Sequence, residues 1–350
     1  MVDFGNPGLE TDTASGMRAP GPGIPATPAG SGSRRVGKVI AAIGLASLAA
    51  GCMSSSGSPA QSAAPGKTSI VVGAVPAADT AGLYIARQQG FFAAAGLHVK
   101  IVPIISAEDA ISGQLKGTYD ITLGNYVSYI QADAEQHADL RIIAEGSVIQ
   151  PGNQEIVTLP GSRITTLAGL RGATLAVNVL NNIGTILVGL ALEDDGMSLS
   201  EVKLVPIPFP EMTAALKAHQ VDAAWVPEPF LSSAEQQTGA LEVADLDQGA
   251  TQNFPIVGYA VTRTWEQKYP GTEAAFLRAL EEGQTVADSD RAAVERAAES
   301  FLGVSPQAAA VMALPEFPLG VDRVRLQRVA DAMRRFGLLK QPFDVGQMIG

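Results

Sequence analysis

The sequence has few of the residues that build disulfides, metal centres and active sites. Its 350 residues include one cysteine, Cys52, so no disulfide can form within the chain. Its three histidines, His98, His137 and His219, are far apart and lack metal-ligand spacing. No glycine-rich phosphate loop or Ser/His/Asp arrangement is present either. We therefore expect no metal, no cofactor and no enzymatic activity.

Positive charge is also scarce. The chain has 24 Lys and Arg against 35 Asp and Glu, which gives a formal net charge of −11. An acidic chain whose body has no basic cluster offers no groove for nucleic acid. Its hydrophobic content of 46% is sufficient for a sizeable core, and the length suggests about two domains.

Long hydrophobic runs are absent as well. The longest N-terminal apolar run spans residues 39–51, which is shorter than the roughly 20 residues of a membrane-spanning helix. It follows Arg34, Arg35 and Lys38 and ends in small residues, a layout typical of a secretory signal peptide. Residues 1–33 are rich in Gly, Pro, Ala and Ser, so residues 1–51 are predicted to be a signal peptide with a disordered N-terminal extension.

The end of this segment resembles a bacterial lipobox. Residues 48–52 read Leu-Ala-Ala-Gly-Cys, with the leucine one place further from the cysteine than usual. The resemblance implies that Cys52 is acylated and becomes the new N-terminus. A plain secretory signal and, from Arg34 and Arg35, twin-arginine export remain alternatives. Residues 52–67 have the composition of a flexible tether, which predicts an exported protein anchored by lipid to the outer face of the cytoplasmic membrane, at the cell surface or in the periplasm.

The rest of the chain alternates β-branched runs with helical patterns. Strands are predicted at residues 69–75, 98–104 and 120–123, with helices at 80–89 and 106–116. The same order returns with strands at 173–178, 202–206 and 221–226, and helices at 184–192 and 211–218. Such alternation predicts an α/β fold with two lobes of mostly parallel sheet, and with ligand crevices at the carboxyl ends of the strands.

Two short apolar segments, residues 155–159 and 255–261, predict crossover strands that form a hinge between the lobes. Lobe 1 would then comprise residues 68–156 and 257–350, and lobe 2 residues 157–256. Helices are predicted at 273–282, 291–301 and 323–336 and would pack on lobe 1.

A local echo supports the two-lobe prediction. Residues 115–120 (Leu-Lys-Gly-Thr-Tyr-Asp) correspond to residues 216–222 (Leu-Lys-Ala-His-Gln-Val-Asp). Each stretch is predicted to be a helix end that turns into a strand. Gly117 and His219 are then expected in the left-handed conformation that often follows a helix.

Several motifs carry a family resemblance. They are residues 81–86 (Ala-Gly-Leu-Tyr-Ile-Ala), 90–92 (Gly-Phe-Phe), 221–224 (Val-Asp-Ala-Ala) and 228–230 (Glu-Pro-Phe). With them the chain resembles the nitrate, sulfonate, taurine and thiamine-pyrimidine class of periplasmic binding proteins. The resemblance implies a type II two-lobed fold and a monomer that captures a small-molecule ligand and delivers it to an ABC permease with its ATPase. A ligand sensor that docks on a receptor and a pyrimidine-synthase-like enzyme of the same fold are the alternatives.

In such a fold the ligand lies between the lobes, against strand ends and helix N-termini. The loops at those places supply the candidate ligand-binding residues, which are Asp79, Thr80, Ser106, Asn125, Tyr126, Asn181, Asn182, Gly184, Thr185, Trp225 and Glu228. Helix capping is the alternative role for Asp79, Thr80 and Ser106, and core packing is the alternative for the two aromatic residues. Glu228 is either a ligand residue, a hinge residue or a helix-start residue.

None of these loops contains Lys or Arg, while Asp79 and Glu228 are acidic. An oxyanion would then depend on helix termini and hydroxyl groups alone. We therefore expect a neutral or cationic organic ligand, such as a pyrimidine-like heterocycle or an amine, in preference to sulfonate or nitrate.

Overall fold

The computed structural model describes residues 66–350, which form one compact unit. The predicted signal peptide, Cys52 and residues 52–65 of the predicted tether lie outside the described residues. No helix within residues 66–350 is long and apolar enough to cross a membrane.

Within residues 66–350, ten strands form two five-stranded sheets. The strands are β1 (Ser69–Ala74), β2 (His98–Pro103), β3 (Ile121–Asn125), β4 (Leu140–Val148), β5 (Gln154–Thr158), β6 (Thr174–Val177), β7 (Lys203–Pro206), β8 (Ala223–Pro227), β9 (Leu241–Asp245) and β10 (Pro255–Thr262).

Helices cover both sheets. They are α1 (Ala81–Gln88), α2 (Phe91–Ala94), α3 (Ala107–Leu115), α4 (Tyr126–Gln136), α5 (Ile183–Asp194), α6 (Phe209–Lys217), α7 (Phe230–Thr238), α8 (Arg263–Lys268), α9 (Pro270–Ser289), α10 (Arg291–Leu302), α11 (Pro306–Val311) and α12 (Arg323–Arg335). Short 3-10 helices lie at Ala78–Thr80, Leu167–Leu170, Leu199–Glu201, Gly249–Thr251 and Val345–Met348.

The two sheets have equivalent topology. Their strand orders are β2-β1-β3-β10-β4 and β7-β6-β8-β5-β9. In each sheet four strands run in one direction and one runs antiparallel to both of its neighbours, β10 between β3 and β4 and β5 between β8 and β9. The predicted two-lobed α/β fold is therefore confirmed. The turn echo is confirmed too, because φ is +74° at Gly117 and +52° at His219.

The chain passes between the sheets at two connections, residues 149–153 and 246–254. The two connections run beside each other, since Ile149 N–H donates to the Phe254 carbonyl and Leu246 N–H donates to the Gln154 carbonyl, each at 3.0 Å. The two segments predicted to cross between the lobes, residues 155–159 and 255–261, are instead strands within a sheet. They correspond to β5 in the second sheet and β10 in the first. Apolar alternation identifies strands, whereas the passage itself is made by more polar connections.

The C-terminal helices complete the architecture. Helix α9 packs on α1 at unusually short distance, because a Cβ at Gly283 would lie 2.3 Å from the carbonyl oxygen of Gly82. Helix α12 differs from the prediction that it packs on lobe 1 alone. It contacts α4 of the first lobe and α5 of the second, where Gly189 leaves room for the ring of Phe336.

Candidate functional site

A cavity of about 60 Å³ lies between the two sheets. The first lobe contributes Val75, Ala77, Asp79, Thr80, residues 105–108 and 123–125, Ile256 and Val257 to its walls, and the second contributes Gln154, Asn178, Val179, Asn182, Ile183, Phe209, Trp225 and Pro227. Most of these residues follow β1, β2 and β6 or lie at the carboxyl ends of β3 and β8. The cavity, called the inner cavity below, therefore occupies the place where α/β sheets commonly bind ligands.

The inner cavity brings together about half of the predicted site residues, which are Asp79, Thr80, Ser106, Asn125, Asn182 and Trp225. The structure places the other predicted residues outside its lining. Those residues are Tyr126, Asn181, Gly184, Thr185 and Glu228.

Asp79 is the half-buried carboxylate of the inner cavity. Its Oδ1 accepts a hydrogen bond of 2.7 Å from Ser147 Oγ on β4, and Oδ2 has no hydrogen-bond partner among residues 66–350. Burial raises the pKa of Asp79 to about 6, although the Ser147 hydroxyl opposes the shift. The alternative that Asp79 caps a helix is wrong, because neither the 3-10 helix nor α1 has a side-chain cap at its N-terminus.

Three other lining residues are engaged by the ends of their own helices. Thr80 Oγ1 donates to the Ala77 carbonyl at 2.7 Å. Ser106 Oγ accepts from the Asp109 N–H at 3.2 Å, which confirms Ser106 as the cap of α3. Asn125 Oδ1 accepts from the Ser128 N–H at 3.0 Å and caps α4. Capping fixes where α3 and α4 begin, and so fixes the cavity wall.

Asn182 joins the two lobes. Its Nδ2 donates to Glu108 Oε1 on α3 at 2.5 Å and to Ser128 Oγ on α4 at 2.9 Å. Its Oδ1 accepts from the Ile183 N–H at 2.6 Å, which caps α5. The amide of Asn182 is therefore committed to a contact between lobes. Asn181 does the same through its backbone, whose carbonyl accepts from Gln131 Nε2 at 3.5 Å.

Three lining residues carry buried polar atoms that lack a hydrogen-bond partner among the described residues, namely Trp225 Nε1, Gln154 Oε1 and Asn178 Oδ1. An unsatisfied buried polar group costs about 1–3 kcal/mol, so these atoms favour a ligand with complementary groups. Sequence reasoning missed Gln154 and Asn178. Asn178 is the last residue of a predicted strand, and the strand-end rule applies to it directly.

The charge of the inner cavity has one sign. Within the part of the chain that the structure describes, its lining contains the carboxylates of Asp79 and Glu108 and no Lys, Arg or His. Glu108 Oε1 already accepts from Ser128 Oγ at 2.8 Å as well as from Asn182. The side chain available for a new charged contact is therefore Asp79.

The remaining candidates support the cavity from behind. Gly184 lets α5 approach Trp225, because a Cβ there would lie 2.4 Å from the indole ring. Tyr126 is fully buried beneath Gly258, where a Cβ would lie 2.5 Å from the phenol ring, and Thr185 is buried in α5. These positions therefore belong to the core behind the cavity.

Glu228 is a helix-start residue. Its carboxylate accepts from Ser232 Oγ at 2.7 Å and from the Ser232 and Ala313 N–H groups. Burial raises its pKa, and these hydrogen bonds oppose the rise. Its carbonyl accepts from the Ala78 N–H across the lobes at 3.4 Å. Elsewhere in residues 66–350, no group of three or more His, Cys, Asp or Glu could hold a metal ion.

Comparisons with solved structures agree with this architecture. The chain is similar to the alkanesulfonate-binding protein SsuA from Xanthomonas axonopodis pv. citri, solved with bound MOPS, with 17% identity, a TM-score of 0.69 and coverage of 81% of this chain and 98% of that one. It is similar to the nitrate-binding protein NrtA from Synechocystis PCC 6803, with 16% identity, a TM-score of 0.69 and coverage of 82% and 87%. The desulfurization enzyme DSZB also matches, with 18% identity, a TM-score of 0.62 and coverage of 80% and 96%.

The structural similarity establishes the fold, while the low sequence identity leaves the ligand open. A comparison with curated proteins finds no match in sequence. The profile of the family described as NMT1/THI5 like matches residues 77–291, which include most of both lobes and every residue that lines the inner cavity except Val75. The chain therefore belongs to the NMT1/THI5-like family and has the fold of the type II periplasmic binding proteins.

Proposed function

We propose that this protein is the extracytoplasmic solute-binding component of an ABC importer and that it captures a small neutral or cationic organic solute, an amine or an amino-substituted heterocycle. The observation that carries the proposal is the inner cavity, where Asp79 offers a carboxylate oxygen without a partner among the described residues. Binding is favoured over catalysis because Glu108, the other carboxylate of the lining, is held by Asn182 and Ser128.

The polar groups of the cavity match a ligand that donates hydrogen bonds. Asp79 Oδ2 and the amide oxygens of Gln154 and Asn178 are acceptors, and the indole N–H of Trp225 is a donor. An amino group beside Asp79 makes a charge-assisted hydrogen bond, which is about twice as strong as a neutral one. Sulfonate and nitrate carry only acceptors, and an anion next to Asp79 would meet a like charge.

Closure of the two lobes is the conformational change that distinguishes the solute-bound protein from the free protein. The described conformation is closed, with Asn182 bound to Glu108 and Ser128 across the lobes. The paired connections at residues 149–153 and 246–254 are the hinge. A ligand that binds the closed form more tightly shifts the population toward it, and we propose that the closed form docks on the permease and its ATPase.

Membrane attachment is the sequence-based part of the proposal. Acylation of Cys52 would hold a monomer at the outer face of the membrane through the tether of residues 52–67. Metabolic labelling with a fatty acid tests it directly. We expect label in the wild-type protein and none in Cys52→Ser, and label retained by that variant would overturn the assignment.

The ligand class is tested first by native mass spectrometry of the purified protein, which reads the mass of any co-purified molecule. Calorimetry then compares n-butylamine and 4-aminopyrimidine with butanesulfonate and nitrate. We expect saturable binding of the amino compounds, with the anions at least tenfold weaker. Tight binding of an anion without a response to either amino compound would overturn the proposed class.

A further inference from the structure

A second cavity lies next to the inner one. Its volume is about 800 Å³. The two cavities are adjacent, because they share the lining residues Val75, Ile105, Ser106, Asn178, Val179 and Phe209. We call the second cavity the outer vestibule, and its walls include residues 208–210, 229–237 and 301–308.

The outer vestibule differs from the inner cavity in chemistry. Among residues 66–350 of this acidic protein, no charged residue lines it. Its walls are mainly apolar, with Phe209 and Phe230 on the second lobe facing Phe301 and Leu302. Ile105 is 83% exposed at the junction, although fully exposed isoleucine is unfavourable in water. An apolar group in the vestibule would cover these side chains.

An aromatic series leads from one cavity into the other. The ring of Phe209 meets Trp225 edge-on, with centroids 5.3 Å apart. On its other side, Phe209 stacks on Phe230, with ring centroids 5.4 Å apart. Because Phe209 lines both cavities, a ligand that touches Trp225 would extend along one continuous aromatic wall.

Size indicates how the two cavities are used. Small-molecule sites commonly enclose about 300–1,000 Å³, whereas the inner cavity has about 60 Å³. The inner cavity alone therefore has room for a head group. The remainder of a larger ligand would leave through the junction at Ile105 and Phe209 and enter the vestibule.

We propose that the ligand is amphiphilic, with an amino head group beside Asp79 in the inner cavity and an alkyl or aryl substituent against Phe209 and Phe230 in the outer vestibule. This inference rests on the proposed function for the head group. The vestibule adds specificity for the apolar substituent, which the head-group contacts do not supply.

The test is calorimetry with two parallel series, methylamine, butylamine and hexylamine, and methane-, butane- and hexanesulfonate. We expect amine affinity to rise by about fourfold for each methylene, as burial of a CH₂ predicts, with an increasingly negative heat-capacity change. An amine series that binds with no dependence on chain length would overturn the vestibule and leave the proposed function intact. Binding confined to the sulfonates would overturn the head-group class, while its chain-length dependence would still support the vestibule.

Two variants test whether the apolar substituent of the ligand binds in the outer vestibule. Ile105→Ser should weaken hexylamine at least fivefold more than methylamine, because Ile105 lies where the two cavities meet, and its exposure makes the variant safe for folding. Phe230→Ala should act in the same direction, with Phe343→Ala, which lies in a separate groove, as the matched control. Equal loss for methylamine and hexylamine in Ile105→Ser would contradict the inference.

Discussion

The two lobes have the same strand order but use equivalent turns differently. The turn after β1 presents Asp79, whose Oδ2 has no partner among the described residues. The turn after β6 presents Asn182, whose amide binds Glu108 and Ser128 of the first lobe. One turn therefore offers charge to a ligand, and the other holds the lobes together. The shared topology fixes the positions of the functional side chains. The residue type at each position decides whether the side chain contacts the ligand or holds the lobes together.

The lobes also differ in the surfaces that they bring to the ligand. The first lobe contributes the carboxylates of the inner cavity, and the second contributes the aromatic series of Phe209, Trp225 and Phe230. A ligand that uses both surfaces must be polar at one end and apolar at the other. Substitutions that remove these features test whether each lobe contributes its own surface to the ligand.

Asp79→Asn should have the largest effect. The amide keeps the size of the side chain and removes its charge, and loss of one member of a buried charge pair typically costs about 2–5 kcal/mol. We expect butylamine affinity to fall by about two orders of magnitude in calorimetry. Asp288→Asn is the matched control, because Asp288 is an exposed carboxylate on α9 that lines neither cavity. Equal affinities for Asp79→Asn and wild type would contradict the assignment of Asp79.

The pH dependence of the same binding should be about tenfold between pH 7 and pH 5. The pKa of Asp79 is raised to about 6, so its carboxyl is mostly ionised at pH 7 and mostly protonated at pH 5. Butylamine keeps its charge over this range, and its affinity should therefore fall as the pH falls. The other titratable groups near Asp79 are Glu108 in the lining and Tyr259 behind it. A pH profile unchanged by Asp79→Asn would assign the titration to another group.

Asn182→Asp should have a smaller effect, through closure. The new carboxylate keeps an oxygen that can cap α5 but removes the donor to Glu108 and places two like charges together. The open form should then be more populated, which lowers apparent affinity by about three- to tenfold and raises the radius of gyration in X-ray scattering. Adding Glu108→Gln should restore both values. No recovery in the double variant would show that the loss comes from α5 and not from the contact between lobes.

Sequence alone predicted the fold well, because alternation and the echo of Gly117 and His219 are local signals. The strand-end rule also found the loops of the inner cavity. It did not separate Asn182 from Asp79, since the role of Asn182 depends on Glu108, 74 residues away in the chain. Gln154 was missed for a similar reason, because it gains its place only when the two connections between the sheets pair.

The smallest predicted effect concerns two buried carboxylates, one in each lobe, that differ in whether they have a partner. Glu145 of the first lobe is paired with Arg325 at 3.0 Å, whereas Glu155 Oε2 of the second lobe has no hydrogen-bond partner among the described residues. Burial and nearby acidic side chains, of which Glu242 contributes most, raise the pKa of Glu155 to about 8. Ionisation is therefore disfavoured in the folded state, and this group makes the wild-type protein lose stability as the pH rises from about 4.5 to about 8.

Glu155→Gln removes that titration. We expect its melting temperature to exceed that of wild type by several degrees at pH 8.5, since about 1 kcal/mol corresponds to about 2–4 °C in a domain near this size. At pH 5 the difference should nearly vanish, because Glu155 is then protonated in the folded state. Glu282→Gln, at an exposed position on α9, controls for the change in net charge. A stabilisation that is the same at both pH values would mean that the substitution acts through packing, and the electrostatic contrast between Glu145 and Glu155 would then be wrong.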